Sequence, residues 1–213
     1  MSIWNIPKVE NDLLKSFKNY SETELLKILK DNSFLFCHLY SRKGGIQPVF
    51  REISFGSIYR CDFAWLNDNS DSPEWVLIEL EKPKMKIFNA NGKPSSELNN
   101  AIEQVKTWQR YFYDNPSEKK RIFGAVAKFR FTLVAGDKSN WDNEEAMKWR
   151  PYHNSNSDIE LRTTDVFYES IIRFKKSPND FWGFEANPVS IESTKLGNYW
   201  KGYNYMDLMR KIY

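Results

Sequence analysis

The chain has 213 residues, 41% hydrophobic and 28% charged, so it is long enough to bury a substantial core and is neither fibrous nor disordered in composition. Its 31 Lys and Arg stand against 28 Asp and Glu, a net charge of +3, which excludes a global polycation built to coat nucleic acid and makes any nucleic-acid site local. Eight Trp, eleven Tyr and fifteen Phe read first as core packing and β propensity, with base stacking or partner binding as the specific alternative.

Met1 to Lys18 is mixed polar and aromatic without the apolar run of a signal peptide, and no stretch approaches the roughly eighteen apolar residues of a membrane span. A cytoplasmic chain that avoids membranes is expected. Cys37 and Cys61 lie far apart in apolar surroundings and read as buried thiols, not as a disulfide framework or zinc pair.

In chain order, Ser21-Glu22-Thr23-Glu24 predicts a capping box, with Ser hydroxyl and Glu carboxylate reciprocally satisfying free amides before Leu25, Leu26, Ile28 and Leu29. Gly44-Gly45 and Pro48 close that unit. Three strands are then predicted, Val49 to Phe55, Tyr59 to Leu66 and Trp75 to Glu81, joined by a tight Gly56-Ser57 turn and the polar loop Asn67 to Pro73. From Leu98, the spacing of Ala101, Ile102, Val105, Trp108 and Phe112 predicts a helix with one apolar face lying on the sheet. Val126 to Ala135 reads as a strand, Asp142 to Glu145 as a helix start, Asp158 to Arg162 as a short strand and Asp165 to Lys176 as a helix. This order predicts an α/β sandwich around a mixed β-sheet flanked by helices. Three regions follow: a helical segment 1–47, a core 48–176, and an aromatic-rich extension 177–213 expected to cover the core.

Chemistry concentrates in two strands. Tyr59-Arg60-Cys61-Asp62-Phe63 and Val76-Leu77-Ile78-Glu79-Leu80-Glu81-Lys82 place carboxylates among residues that expect burial, and strand alternation sets Glu79 and Glu81 on the face opposite Val76, Ile78 and Leu80. Buried carboxylates need cations, hydrogen bonds or solvent. Pairing with Arg60, Lys82 or Lys84 is the plain reading; a hard-oxygen site for Mg²⁺ that activates water against a phosphodiester is the functional one. Lys82, Lys84, Lys86 and Lys93 form a basic segment just after the acidic strand, either solvated loop charge or a grip on a phosphate backbone. His38 reads as a satisfied core histidine and His153 as exposed, while Glu52 reads as a surface salt-bridge partner near Asp62.

The stretch Glu52-Ile53-Ser54-Phe55-Gly56, followed by Tyr59 to Phe63, Val76 to Pro83, Gly92, Leu98, Ala101 to Val105 and Trp108, resembles the nuclease core of the Shedu anti-phage defence family. A weaker match runs through Glu160 to Asp165, so that the resemblance covers roughly residues 48 to 173. It implies a PD-(D/E)XK, restriction-endonuclease-like fold, Mg²⁺- or Mn²⁺-dependent cleavage of DNA in bacterial immunity, and assembly into a homo-oligomer. It further implies that Asp62 and Glu79 are metal ligands and that Gln104 and Trp108 occupy a Q-x-x-x-Y-like motif, Trp replacing Tyr and Gln104 binding metal-bound water or phosphate. One position departs from the pattern: two residues after Glu79, where the motif has Lys, stands Glu81, with Lys82 next on the opposite strand face. Either Glu81 acts as a further ligand or base, or Lys82 or Lys84 reaches in across the strand end, or the fold is a degenerate module that binds DNA ends or a protein partner.

Overall fold

The computed structural model describes residues 3–41, 45–70 and 72–213. Gly44 of the expected glycine break, Met1 and Asp71 therefore lie outside the described residues. Helix α1, Ile6–Lys18, begins on Asn5, whose side chain accepts from the Lys8 amide at 3.2 Å, and buries Val9 and Leu13. Its bounds within the expected helical segment 1–47 are not marked in the sequence, because its single apolar stripe is narrow and interrupted by Lys and Asn. Helix α2, Glu22–Asp31, starts where the capping signal puts it, with Ser21 Oγ accepting from Glu24 N at 3.2 Å. The reciprocal half of the box is replaced: the Glu24 carboxylate accepts instead from the Asn19 amide at 3.1 Å.

Strands β1 (Phe50–Phe55), β2 (Tyr59–Asp68) and β3 (Pro73–Leu80) form an antiparallel meander within one residue or two of expectation. Helix α3 (Ser96–Asp114), capped by Ser95, and helix α4 (Pro116–Phe123) lead to β4 (Lys128–Val134), parallel to β3. Helix α5 (Glu144–Asn156), β5 (Ile159–Arg162) and α6 (Asp165–Lys176) follow. The tail forms α7 (Trp182–Glu185), β6 (Ile191–Glu192), α8 (Leu196–Lys201) and α9 (Asn204–Met209). The sheet runs β5-β4-β3-β2-β1-β6, so the tail does more than cover the core: its β6 pairs parallel with β1, Phe50 against Ile191 and Arg51 against Glu192. Among the described residues no helix is long and apolar enough to cross a membrane.

Each face of this mixed sheet carries its own core. Trp75 and Leu77 of β3 pack with the Leu98, Ile102, Val105 and Trp108 stripe of α3 and with Trp200 of α8. Val76, Ile78 and Leu80 pack on the other face with Leu13 of α1, Leu25 and Leu29 of α2, and Phe167 and Ile171 of α6. Every residue of β3 is buried on both faces, Glu74 and Glu79 included, and between these two glutamates the strand reads as a continuous apolar run, Trp75 to Ile78. Full burial of each Leu, Ile or Phe contributes roughly 1.5–3 kcal/mol before the entropy of ordering is counted. Within the second core, Tyr40 stacks on Trp65 with ring centroids 4.3 Å apart.

At the far end of β3 from the acidic residues, Glu74 is buried and fully occupied. Its carboxylate accepts from Asn67 Nδ2 at 2.8 Å and meets Lys128 at 3.0 Å and Arg130 at 3.5 Å. These donors hold its pKa below the ordinary 4.5 against the opposing effect of burial. A depressed carboxylate stabilises the fold above its unfolded pKa and loses that contribution as pH falls through its folded value. Glu74→Gln should therefore cost about 1–3 kcal/mol at pH 7 and narrow its deficit against wild type below pH 4, as read by urea unfolding at both pH values; a deficit that stays constant with pH would show that packing, not charge, is what was lost.

Candidate active site

The acidic residues meet where the sheet comes apart. Strands β2 and β3 pair from Asp68 and Pro73 as far as Phe63 and Ile78 and then diverge, whereas β3 stays paired with β4 through Leu80 and Val134. Beyond the fork the Leu80 N–H has no β2 carbonyl to take it. It donates instead to Asp62 Oδ2 at 2.9 Å, so the Asp62 carboxylate closes the gap that its own strand opens.

The neighbouring pair β1–β2 is distorted at the same level. Phe50 and Ile53, three residues apart, share one core, as do Cys61 and Ala64 on the partner strand, so alternation slips by one in both strands. The ladder skips Glu52 and Asp62 at this point, and Glu52 takes the positive φ of 54° that a non-glycine residue rarely adopts. Lys30 at 3.1 Å and Arg60 at 3.7 Å hold the Glu52 carboxylate outward, in the salt-bridge role the sequence indicated.

Glu79 lies on the α3 side of β3. Gln104 of α3 donates through Nε2 to Glu79 Oε1, while Glu79 Oε2 is buried with no hydrogen-bond partner. Burial first, then the charges of Asp62, Glu81 and Glu22, push the Glu79 pKa up to about 10. Burial likewise raises Glu81 to about 7, with Glu22 and Asp62 adding to it and Lys82 opposing, and raises Asp62 to about 6. Three carboxylates, Asp62, Glu79 and Glu81, thus lie in a region where burial outweighs the nearby positive charge of Arg60, Lys30 and Lys82.

Gln104 and Glu79 are therefore in contact, and Asp62 and Glu81 act on Glu79 through their charge, as Lys82 does on Glu81. Lys84 is committed elsewhere, donating to Tyr20 Oη at 3.2 Å and lying 4.7 Å from that ring's centre. Lys86 and Lys93 are exposed on the turn-rich segment that returns through Ile87 and Ser95 to α3. Trp108 is core, edge-on to Phe55 at 5.7 Å, and takes no part in the acidic cluster. Sequence reasoning missed Glu22: it was visible only as a capping-box residue, and nothing local reveals that α2 packs its first turn beside the β2–β3 fork. His38 and His153 both differ from expectation, each being half-buried with a buried Nε2 that lacks a hydrogen-bond partner.

A family model described as Shedu protein SduA, C-terminal, matches residues 19–168, a span that contains Glu22, Asp62, Glu79, Glu81 and Gln104 and excludes the tail that carries β6. No curated protein matches the chain.

A carboxylate held protonated by its surroundings lowers stability as pH rises from its unfolded pKa toward its folded one, because the unfolded chain releases the proton first. For Glu79 that window runs from the ordinary 4.5 to about 10. In metal-free protein, Glu79→Gln should gain at least about 1.4 kcal/mol, a tenfold change in the folding equilibrium, relative to wild type between pH 5 and pH 8. Urea unfolding at the two pH values measures it; an identical difference at both would remove the repulsion among these carboxylates from the account.

Proposed function

The chain belongs to the Shedu SduA C-terminal family, whose association is with anti-phage defence, and from that premise we propose that it is a metal-dependent endonuclease of the PD-(D/E)XK type that cleaves DNA phosphodiester bonds. The observation that carries this reading is the β2–β3 fork, where Asp62, Glu79 and Glu81 have pKa values raised by burial and Glu79 Oε2 lacks a partner. Carboxylate oxygens short of cations suit a hard divalent ion such as Mg²⁺ or Mn²⁺. Among the described residues no three acidic, His or Cys side chains are drawn close enough to hold an ion as they stand, so the carboxylates must move together to take one; Asp62 and Glu79 each have one oxygen engaged within the protein.

Bound there, the ion would supply a water of lowered pKa and charge neutralisation at the phosphate. The chain's own residues have distinct tasks. Asp62 and Glu79 hold the ion, with Glu81 beside them. Gln104 fixes the Glu79 carboxylate and thereby its free oxygen. Lys82, Lys84, Lys86 and Lys93 contact the DNA backbone, Lys84 after release from Tyr20. On this reading residues 48–176 are the nuclease core, 1–47 pack on it and contribute Glu22, and the protein acts in the cytoplasm as a homo-oligomer.

A second reading is favoured by one observation. Where a catalytic lysine is expected the chain has Glu81, and Lys82 offsets the surrounding negative charge only in part, which suits a nuclease-fold module that binds DNA ends or a protein partner without cutting. Asp62→Asn should abolish plasmid cleavage in Mg²⁺ or Mn²⁺ while leaving the melting temperature within a few degrees, and Mn²⁺ should raise the melting temperature of wild type but not of the variant. Glu81→Lys separates the two readings by sign: it lowers cleavage at least tenfold if Glu81 serves the metal, and creates or raises cleavage if the site is degenerate. A Glu81→Lys protein indistinguishable from wild type would place Glu81 outside the active site.

A further inference from the structure

The tail beyond the family match builds a second feature whose charge is unbalanced. A cleft of about 750 Å³ opens between β1, α4 and the tail; Ile53 and Ser54 line one side and residues of α8, with Arg210 just after α9, line the other. Its lining contains four cations, Lys120, Arg121, Lys201 and Arg210, and no acidic side chain. By contrast, the cleft between α1 and α2 is lined by Lys8, Lys15 and Lys27 against Asp12, Glu24 and Asp31. In a chain whose net charge is only +3, an all-basic cleft is a local accumulation of charge.

How those cations are held matters. Arg121 is partly neutralised by Glu118 at 3.1 Å, and Lys120 donates to the main-chain oxygen of Tyr213 at 2.8 Å. Lys201 and Arg210, both exposed, lie over the ring of Trp200 at 5.6 and 4.8 Å. Neither is joined to a carboxylate among the described residues, and their charges remain available to solvent or to a ligand. Trp200 is itself fixed, its Nε1–H donating to the Ile122 carbonyl at 2.9 Å, so it serves as a rigid platform for both cations. Ser54 in its wall pairs across the sheet with Arg60, two residues before Asp62.

We infer that this cleft is a track for a nucleic-acid phosphate backbone, in which Lys201 and Arg210 contact successive phosphates and hold duplex DNA outside the acidic centre. The inference rests on the reading that the protein acts on DNA, and it assigns the tail a positioning role that the family match does not cover. Fixed cations with no paired carboxylate gain most from releasing the counterions of a polyanion, and such contacts carry no base specificity.

The test is binding of a fluorescein-labelled duplex by anisotropy without divalent metal, so that nothing is cut, across a series of KCl concentrations. Lys201→Ala/Arg210→Ala should weaken binding about tenfold at low salt and reduce the slope of log affinity against log salt by about 1.8, two contacts at about 0.9 each. The charge-preserving pair Lys201→Arg/Arg210→Lys should keep the wild-type slope, which separates charge from folding. Inorganic phosphate at matched ionic strength should not displace the duplex; displacement would make the cleft a small-anion site and overturn the inference. Unchanged affinity and slope in the Ala pair would overturn it too, even if Asp62→Asn still abolishes cleavage and the nuclease reading stands. If wild type never cuts yet the Ala pair still binds more weakly with the reduced slope, the backbone track stands and the nuclease reading falls.

Discussion

One unmade hydrogen bond organises this molecule. Strand β3 must leave β2 while remaining paired with β4, and the Leu80 N–H exposed by that departure has to find an acceptor inside a protein whose surrounding residues are apolar. An unsatisfied buried amide costs on the order of 1–3 kcal/mol, and the Asp62 carboxylate meets it at 2.9 Å. That solution brings an ionisable group into the sheet, and with it the need for a counter-charge. The slip of both β1 and β2 at Glu52 and Asp62, including the left-handed Glu52 backbone, belongs to the same local compromise between strand divergence and core packing. Glu79 and Glu81 then add negative charge to a site that the sheet geometry has already made polar.

What could be read from the sequence follows from which forces are local. The strands β1 to β5 and the helices α2, α3, α5 and α6 were legible because period-two and period-3.6 patterns record which face meets the core, and because Ser21 marks its helix start by a short-range hydrogen bond. The carboxylates Asp62, Glu79 and Glu81 stood out since burial of acid among Phe, Val and Leu is costly wherever the strands go. The bounds of helix α1, inside the helical segment expected over 1–47, were hidden by the polarity of its exposed faces. Helix α4 was missed because its eight residues bury little beyond Ile122 and Phe123. Glu22 and the pairing of β6 with β1 depend on contacts between distant segments, and no local pattern encodes them.

The two cores give the site unequal supports. On the α3 side, Glu79 is steered by Gln104 from a nineteen-residue helix that also buries Val105 and Trp108, so the amide that positions the carboxylate sits on a rigid element. On the opposite side, the charge of Glu22 arrives on the first turn of α2, a shorter helix joined to α1 through Tyr20 in a left-handed turn. Lys84 touches that same Tyr20 through both its hydroxyl and its ring. The loop that leaves the acidic strand and the turn that delivers Glu22 are thus held against each other by one side chain.

The pairing of β6 with β1 sets an order on how the protein is made. Arg51 reaches Ser190 across 139 residues of chain, and until residues 190–192 have been synthesised the outer edge of β1 has no strand to lie against. The meander and the α3 face that form the acidic fork can assemble on the ribosome before that point, but they do so with an open edge at Phe50 and Arg51 exposed to solvent or to a neighbouring nascent chain. Closing a six-stranded sheet with its last two residues of strand thus leaves the β1 edge unpaired until nearly the whole chain is made.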